Sequence, residues 1–300
     1  MPPASVLPQI STNVRFAASA LLFPELAASW AERVFLTPPR ADVEETALDL
    51  LDARASFVMH KGRRIATWEW GWKSRGAPAV LLAHGWGGSA AQLRAFAFPL
   101  LAAGYRVIGF DQPAHGLSEG RLTGLPDFAD VLAEVAWHHG RPEAVVAHSV
   151  GAAAAAYAMS RGLAFRRAVL VSPPSDIIGY SRRFARWHWI PEPVRGAMQA
   201  AIEERYGVRW EELEIGRLAP RLGAEALVVH DRADRVVPLR QGVRVARAWR
   251  GARLLVTQGL GHGRILRDPE VTRAAADFIA GRSAVAIVAA PRLPHPAPLY

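Results

Sequence analysis

The sequence contains no cysteine. Disulfides and thiolate metal sites are thereby excluded, and a cysteine-free chain is compatible with the cytoplasm, where this one is expected. Lysine is almost missing too: Lys61 and Lys73 are the only two. The net charge of +9 therefore comes from arginines. They are spread along the chain, and no nucleic-acid motif accompanies them, so nucleic acid is not an expected partner. No apolar run reaches the roughly 18 to 20 residues of a membrane-spanning helix, and stable membrane insertion is not expected. Residues 16–24 are apolar but short, and without a basic start or a convincing cleavage site they are not expected to be a signal peptide. Internal repeats are missing. Gly85, Gly87 and Gly88 match neither G-x-x-x-x-G-K-[ST] nor G-x-G-x-x-G, which removes the common phosphate loops. Histidines and carboxylates are not gathered at ligand spacing; His138, His139 and Glu143 come nearest. Neither a metal nor a cofactor is expected, and the His138-His139 pair reads as a solvated helix end.

What remains is a chain of 300 residues, 51% hydrophobic and 21% charged, enough for one large α/β domain. Its organising stretch is Ala147-His148-Ser149-Val150-Gly151. An apolar run, residues 144–147, leads in and reads as a buried parallel strand. Residues 151–158 are small helix formers and lead out. A serine between small residues at a tight strand-to-helix turn fits the nucleophile-elbow pattern G-x-S-x-G, with Ala147 in place of the first glycine. A helix N-cap serine would account for the pentapeptide alone.

In chain order, residues 1–53 read as a helical arm. Phe16, Leu21, Leu22, Leu26, Trp30, Val34 and Phe35 recur near helical spacing, and Pro38-Pro39 stops the pattern. Residues 44–51 suggest a second short helix. The arm is expected to pack on the core, with a membrane-surface helix as the alternative. Strand signals begin at residues 55–60 and 65–70, around a turn at Lys61-Gly62-Arg63, with the alternation of an antiparallel edge. Short β-branched runs follow at 79–83, 106–110, 143–147, 167–171, 226–229 and 253–256. Helical stretches at 90–103, 126–139, 151–162, 239–249 and 269–280 lie between or after them. This alternation predicts a mostly parallel sheet with helices on both faces, and a site at the carboxyl ends of its strands. The core is expected over 54–172 and 224–282. Residues 173–223 break the rhythm with no strand signal, and read as a helical lid over the site. The tail, 283–300, ends in a proline-rich stretch expected to be disordered.

Each loop after a strand carries a chemical group. His84-Gly85-Trp86-Gly87-Gly88-Ser89 follows the run 79–83. Asp111-Gln112-Pro113-Ala114-His115-Gly116-Leu117-Ser118 follows 106–110. Asp231-Arg232-Ala233-Asp234-Arg235-Val236-Val237-Pro238 and Gly259-Leu260-Gly261-His262-Gly263 follow the last two runs. A Ser, an Asp and a His thus follow strands in the order Ser149, Asp234, His262. Together these loops resemble those of the α/β-hydrolase fold superfamily, and its serine esterases and lipases in particular, over roughly residues 55–280. Ala114 and Ala147 stand where the family has glycine.

The resemblance implies an eight-stranded, mostly parallel sheet and a Ser-His-Asp triad of Ser149, His262 and Asp234. It implies an oxyanion hole made by the backbone N–H groups of Trp86 and Val150. A serine hydroxyl needs an adjacent base, and an aspartate behind the histidine fixes its tautomer. Asp231 and Asp234 are both available; Asp234 sits where the family's acid usually does, which leaves Asp231 a structural role. His84, Gly85 and His148 are expected at the substrate, with Phe184, Trp187 and Trp189 of the lid lining the acyl pocket. His84 and His115 are also expected to bind backbone groups. Arg182, Arg183 and Arg186 read as a solvated helix face or as a rim for acidic substrates. The expected activity is hydrolysis of a small-molecule carboxylic ester, or a related acyl bond, through an acyl-enzyme. Carbon–carbon bond hydrolysis and peroxidase chemistry use the same triad, and a non-catalytic ligand receptor is the alternative from another class. Oligomeric state is left open.

Overall fold

Small and β-branched residues leave the central strands without an exposed side. The computed structural model of the chain describes residues 23–39, 50, 52–74 and 76–282. Within it, β3 (Ala79–Ala83), β5 (Ala144–His148) and β6 (Arg167–Val171) are buried along their whole length, as strands covered on both faces must be. With β1 (Arg54–His60), β2 (Arg63–Trp70), β4 (Arg106–Phe110), β7 (Glu225–Asp231) and β8 (Arg253–Thr257) they form one sheet. Its order is β1-β2-β4-β3-β5-β6-β7-β8. The strands from β3 to β8 run parallel, and β2 pairs antiparallel with both β1 and β4. The edge is therefore β1, whose first four residues are exposed, while β2 lies inside the sheet. The hairpin turns on Lys61 and Gly62 alone, both at positive φ, and Arg63 already pairs with His60. That is the two-residue turn whose twist matches antiparallel strands.

Helices cover both faces. On one lie α2 (Arg94–Ala102) and a late helix, Pro269–Ile279, whose Phe96, Leu100, Val271 and Phe278 pack with Val80, Leu82 and Val146. On the other lie α3 (Leu125–His138) and α4 (Val150–Ser160), packed with Leu81, Val145 and Leu170. Alanines 152–156 of α4 are buried on every side. A helix apolar all round belongs in a core, and alanine lets its neighbours approach closely. His138 at the end of α3 is exposed, but His139 turns inward to within 4.0 Å of Glu69 and is not solvated as expected.

Residues 173–223 leave the carboxyl end of β6 as helices. These are α5 (Ile177–Trp187), α6 (Glu192–Tyr206) and short turns from Trp210 to Arg221. The N-terminal helix α1 (Pro24–Leu36) joins this group rather than the core sheet, which corrects the expected packing. Ala27, Ala28 and Ala31 form one cluster with Val194, Met198 and Ile202; Arg205 pairs with Glu32 at 2.6 Å, and Phe35 stacks on Trp210. Alanines at helical spacing make a flat stripe that another helix can approach closely. Tyr206 then ties α6 to the core by donating to Asp127 Oδ2 at 2.6 Å. Phe16, Leu21 and Leu22, the expected short helix at 44–51 apart from Leu50, and the 283–300 tail lie outside the described residues.

Candidate active site

Ser149 sits where β5 turns into α4, at φ 52° and ψ −126°. Residues other than glycine rarely adopt positive φ, and such strain marks functional turns. The turn is held by Ser149 N–H, which donates to Val171 O at 2.9 Å. Its small neighbours are required by space. A Cβ at Gly151 would lie 2.4 Å from His84 O, and Ala147 is wholly enclosed in β5. Val150 opens α4, and the first N–H groups of a helix have no intrahelical acceptor.

The loop after β3 lies across this elbow. A Cβ at Gly85 would come within 2.9 Å of Ser149 Cβ. The Trp86 indole is anchored by stacking on Phe128 and by an edge-on contact with His115. Two histidines lock the loop to its neighbour. His84 Nε2 accepts the Gln112 N–H at 2.8 Å and its Nδ1–H donates to Gly85 O at 2.7 Å. His115 Nε2 accepts the Gly87 N–H at 2.9 Å. Both rings are fully enclosed, and burial pushes the pKa of His84 well down. His84, expected at the substrate, is thus a backbone clamp with neither ring nitrogen to spare. Pro39, read from the sequence only as a helix stop, also reaches this loop: its ring lies 2.9 Å from where a Cβ on Gly87 would stand. The end of the N-terminal arm thereby touches the glycine loop.

Asp111 organises the next loop. Its carboxylate accepts the N–H groups of Ala90 and Leu117, each at 2.8 Å. Burial outweighs these bonds and lifts its pKa to about 6. Gly116 must be glycine, because a Cβ there would meet Asp111 Oδ2 at 2.0 Å. Ala114 holds a positive φ of 65°, so the alanine has kept a glycine's conformation.

The two aspartates after β7 divide cleanly. Asp231 accepts the Ala233 and Leu260 N–H groups and the Thr257 hydroxyl, joining the acid loop to the histidine loop. Its burial opposes ionisation, but these bonds and the Gly261 N–H win and hold its pKa at about 2. Asp234 Oδ1 accepts the N–H groups of Val236 and Val237, both at 2.9 Å, and Oδ2 lies 2.8 Å from His262 Nδ1. Burial again opposes its ionisation; the bond and charge of His262, the Val237 N–H and Ser172 lower its pKa in net. A carboxylate at Nδ1 leaves Nε2 as the free face of the ring. His262 sits on a four-residue helix, Gly261–Arg264.

Two further histidines crowd this centre. His148 donates from Nε2 to the His262 carbonyl at 3.2 Å, and the two rings lie 4.5 Å apart. Burial, then the neighbouring His262, depress its pKa to about 3, so it stays neutral. His230, at the end of β7, donates to Val237 O at 2.8 Å and stands 3.6 Å from Asp234 Oδ2. Nothing in the sequence pattern singled out His230, because a histidine inside an apolar strand has no motif of its own.

The aromatic residues expected in the acyl pocket part company. Phe184 packs edge-on against Phe35, 5.0 Å away, inside the helical group. Trp187 and Trp189 are 69% and 54% exposed, on the solvent side. Their expected place lining the acyl pocket is not met by burial: α5 turns its Phe184 and Ala185 face inward and leaves the indoles outside. A cavity of about 530 Å³ among the described residues is lined by Ala129, Glu134, Trp137, Ala158, Arg161 and Leu163. It lies at the far end of α4, roughly 15 Å along the helix from Ser149, and plays no part in this centre.

The strand order, with a serine after β5, an aspartate after β7 and a histidine after β8, is that of the α/β-hydrolase fold. The chain belongs to the alpha/beta hydrolase family, whose family model matches residues 79–300. A curated relative, the bifunctional esterase/perhydrolase DCH of Acinetobacter calcoaceticus, is 24% identical over 64% of this chain and 87% of its own. An esterase from Pyrococcus furiosus superposes with a TM-score of 0.61 at 21% identity, over 82% of this chain and 97% of that one. The Rhodococcus sp. esterase RhEst1 gives a TM-score of 0.55 at 20% identity, over 78% and 100%.

Proposed function

We propose that the protein is a serine hydrolase that cleaves a small-molecule carboxylic ester through an acyl-enzyme. The observations that support this reading are the Asp234–His262 contact and, at the carboxyl end of β5 in the same sheet, a serine in strained elbow geometry. Names of relatives, esterases among them, agree with it. In this reading His262 Nε2 takes the Ser149 proton as Oγ attacks the acyl carbon. The same imidazolium then protonates the leaving alkoxide. Asp234 holds the tautomer and stabilises the imidazolium. The tetrahedral oxyanion accepts the N–H groups of Trp86 and Val150, and each such donor is worth about 2.7 to 4 kcal/mol in the transition state. Water then attacks the acyl group by the same route. His148 and Gly85 form the wall beside the nucleophile. Residues 173–223 act as the lid, hinged at the carboxyl end of β6, with Phe184 and Phe35 in its inner layer.

The test is turnover of a graded series of p-nitrophenyl esters by the purified chain, from acetate upward. Turnover that saturates and varies with chain length supports the reading. A protein that binds these esters without releasing nitrophenol is the receptor, and the hydrolase reading fails.

A further inference from the structure

We infer that the outer face of α5 is a peripheral docking surface for anionic lipid headgroups. Burial divides this helix sharply. Ser181 and Ala185 are enclosed and Phe184 rests on Phe35; Tyr180 meets Phe35 edge-on, with ring centroids 6.0 Å apart, but is partly open, and Arg182, Arg186 and Trp187 face solvent. Tyr180, Arg183 and Trp187 recur at spacings of three and four, so they lie along one row of the helix. Arg183 lies over the Tyr180 ring at 5.7 Å. Trp187 is the most exposed of the large hydrophobic side chains among the described residues. Trp189 follows at φ 56°, in the left-handed position that glycine usually fills after a helix. Ile190 plugs back into the helical group, and the Trp189 indole is left outside.

The charge of α5 and of the turn after it has one sign, with Glu211, Glu212 and Glu214 on the neighbouring segment. No residue from 177 to 191 is acidic. The two flanking carboxylates are engaged: Asp176 accepts the Gly179 N–H at 2.7 Å, and Glu192 pairs with Arg195 at 2.8 Å. Arginines therefore present their positive charge outward beside two indoles and a phenol. That pairing suits a layer with phosphates at its surface and an apolar interior just beneath. Arginine binds phosphate oxygens, and Trp and Tyr settle where one end of the ring is apolar and the other wet. The two indoles stand outside the helical group, at the end of α5 and just after it, which fits insertion between headgroups better than seating in a protein pocket. No described helix is long and apolar enough to cross a membrane, so the attachment is peripheral.

The experiment is flotation of the full chain with vesicles of phosphatidylcholine, alone or with added phosphatidylglycerol. The protein should float only with the anionic vesicles, and less as salt is raised. Replacing Arg182, Arg183 and Arg186 by Gln should lower the partition coefficient by about a hundredfold, the contribution of three near-surface arginines. Trp187→Ala with Trp189→Ala should lower it by about tenfold or more. The control removes the same charge elsewhere: Arg221, Arg240 and Arg250, all exposed, replaced by Gln. It should bind within about twofold of the parent. Circular dichroism of each variant establishes that it is folded. The inference is overturned if the parent stays unbound, if the control loses as much as the α5 variant, or if the tryptophan variant binds undiminished. It is also overturned if the α5 substitutions instead dissociate an oligomer seen without lipid.

Discussion

His262 meets Asp234 and not Asp231, although the two aspartates are three residues apart in one loop. The selection is made by backbone amides and one hydroxyl. Asp231, the last residue of β7, is claimed by Ala233, Leu260 and Thr257. Asp234 lies one turn further out, where Val236 and Val237 fix one oxygen and leave the other for His262 Nδ1.

Exchanging each aspartate for asparagine should separate the two roles. Asp234→Asn should leave the melting temperature nearly unchanged and lower kcat by about 10⁴, as expected when the imidazole tautomer is lost. Asp231→Asn places an amide among three donors and should cost about 1 to 3 kcal/mol of stability, with a smaller loss of kcat. Esterase assays and thermal melts of the two proteins check this, and the assignment fails if the outcomes are exchanged.

Gly85 carries a prediction about the oxyanion loop. A methyl group there collides with Ser149 Cβ, an atom fixed by the backbone. Gly85→Ala should push the loop off the elbow and lower kcat by about 10² to 10³, the effect of one lost oxyanion donor. Saturation kinetics on a short-chain aryl ester read this directly; a fall in kcat of less than about threefold would place the loop elsewhere in the reaction.

Ala114 is strained where a glycine would not be. Ala114→Gly removes a left-handed alanine, worth about 1 to 2 kcal/mol, against about 0.5 to 1 kcal/mol of extra unfolded-state entropy. Chemical denaturation should show a net gain of about 0.5 to 1 kcal/mol at an unchanged m-value. A loss of stability would mean that the Ala114 methyl contributes packing that outweighs its strain.

Asp111 gives the fold a pH dependence of unusual sign. Its pKa rises from 3.8 to about 6 on folding. Between these values the folded chain holds a proton that the unfolded chain has released, so this group's contribution is fully present below pH 3.8 and is lost as pH rises through about 6. The stability difference between the parent and Asp111→Asn should therefore shift against the parent between pH 4 and about 6.5. Asp231 works the other way: its folded pKa of about 2 gives stability that is present above pH 3.8 and lost as pH falls toward 2. Urea melts of both proteins across this range test the sign at Asp111; a parallel pair of curves would contradict it.

Much of this arrangement was legible in the chain because it is local. A serine, an aspartate and a histidine each follow an apolar run, and parallel strands bring their carboxyl ends to one edge whatever lies between. The glycine loop, the Asp111 loop and the helical nature of 173–223 were equally readable. What escaped was the direction of side chains set by distant packing. Trp187 looks outward because Ala185 and Phe184 occupy the inner face of α5, and no local pattern says which face meets the core. Likewise α1 chose α6 through three alanines, a stripe that hydrophobic periodicity underweights. His230 and Pro39 reach the site only through contacts closed by the tertiary fold.

The central claim is that Ser149 is the nucleophile, and a fluorophosphonate probe tests it most directly. Incubation with the native chain should attach one phosphonyl group, mapped by peptide mass spectrometry to Ser149. The folded Ser149→Ala protein should take up none and should lose ester turnover by several orders of magnitude, about as much as removing the whole triad. Labelling at another serine, or near-native turnover in Ser149→Ala, would contradict the account.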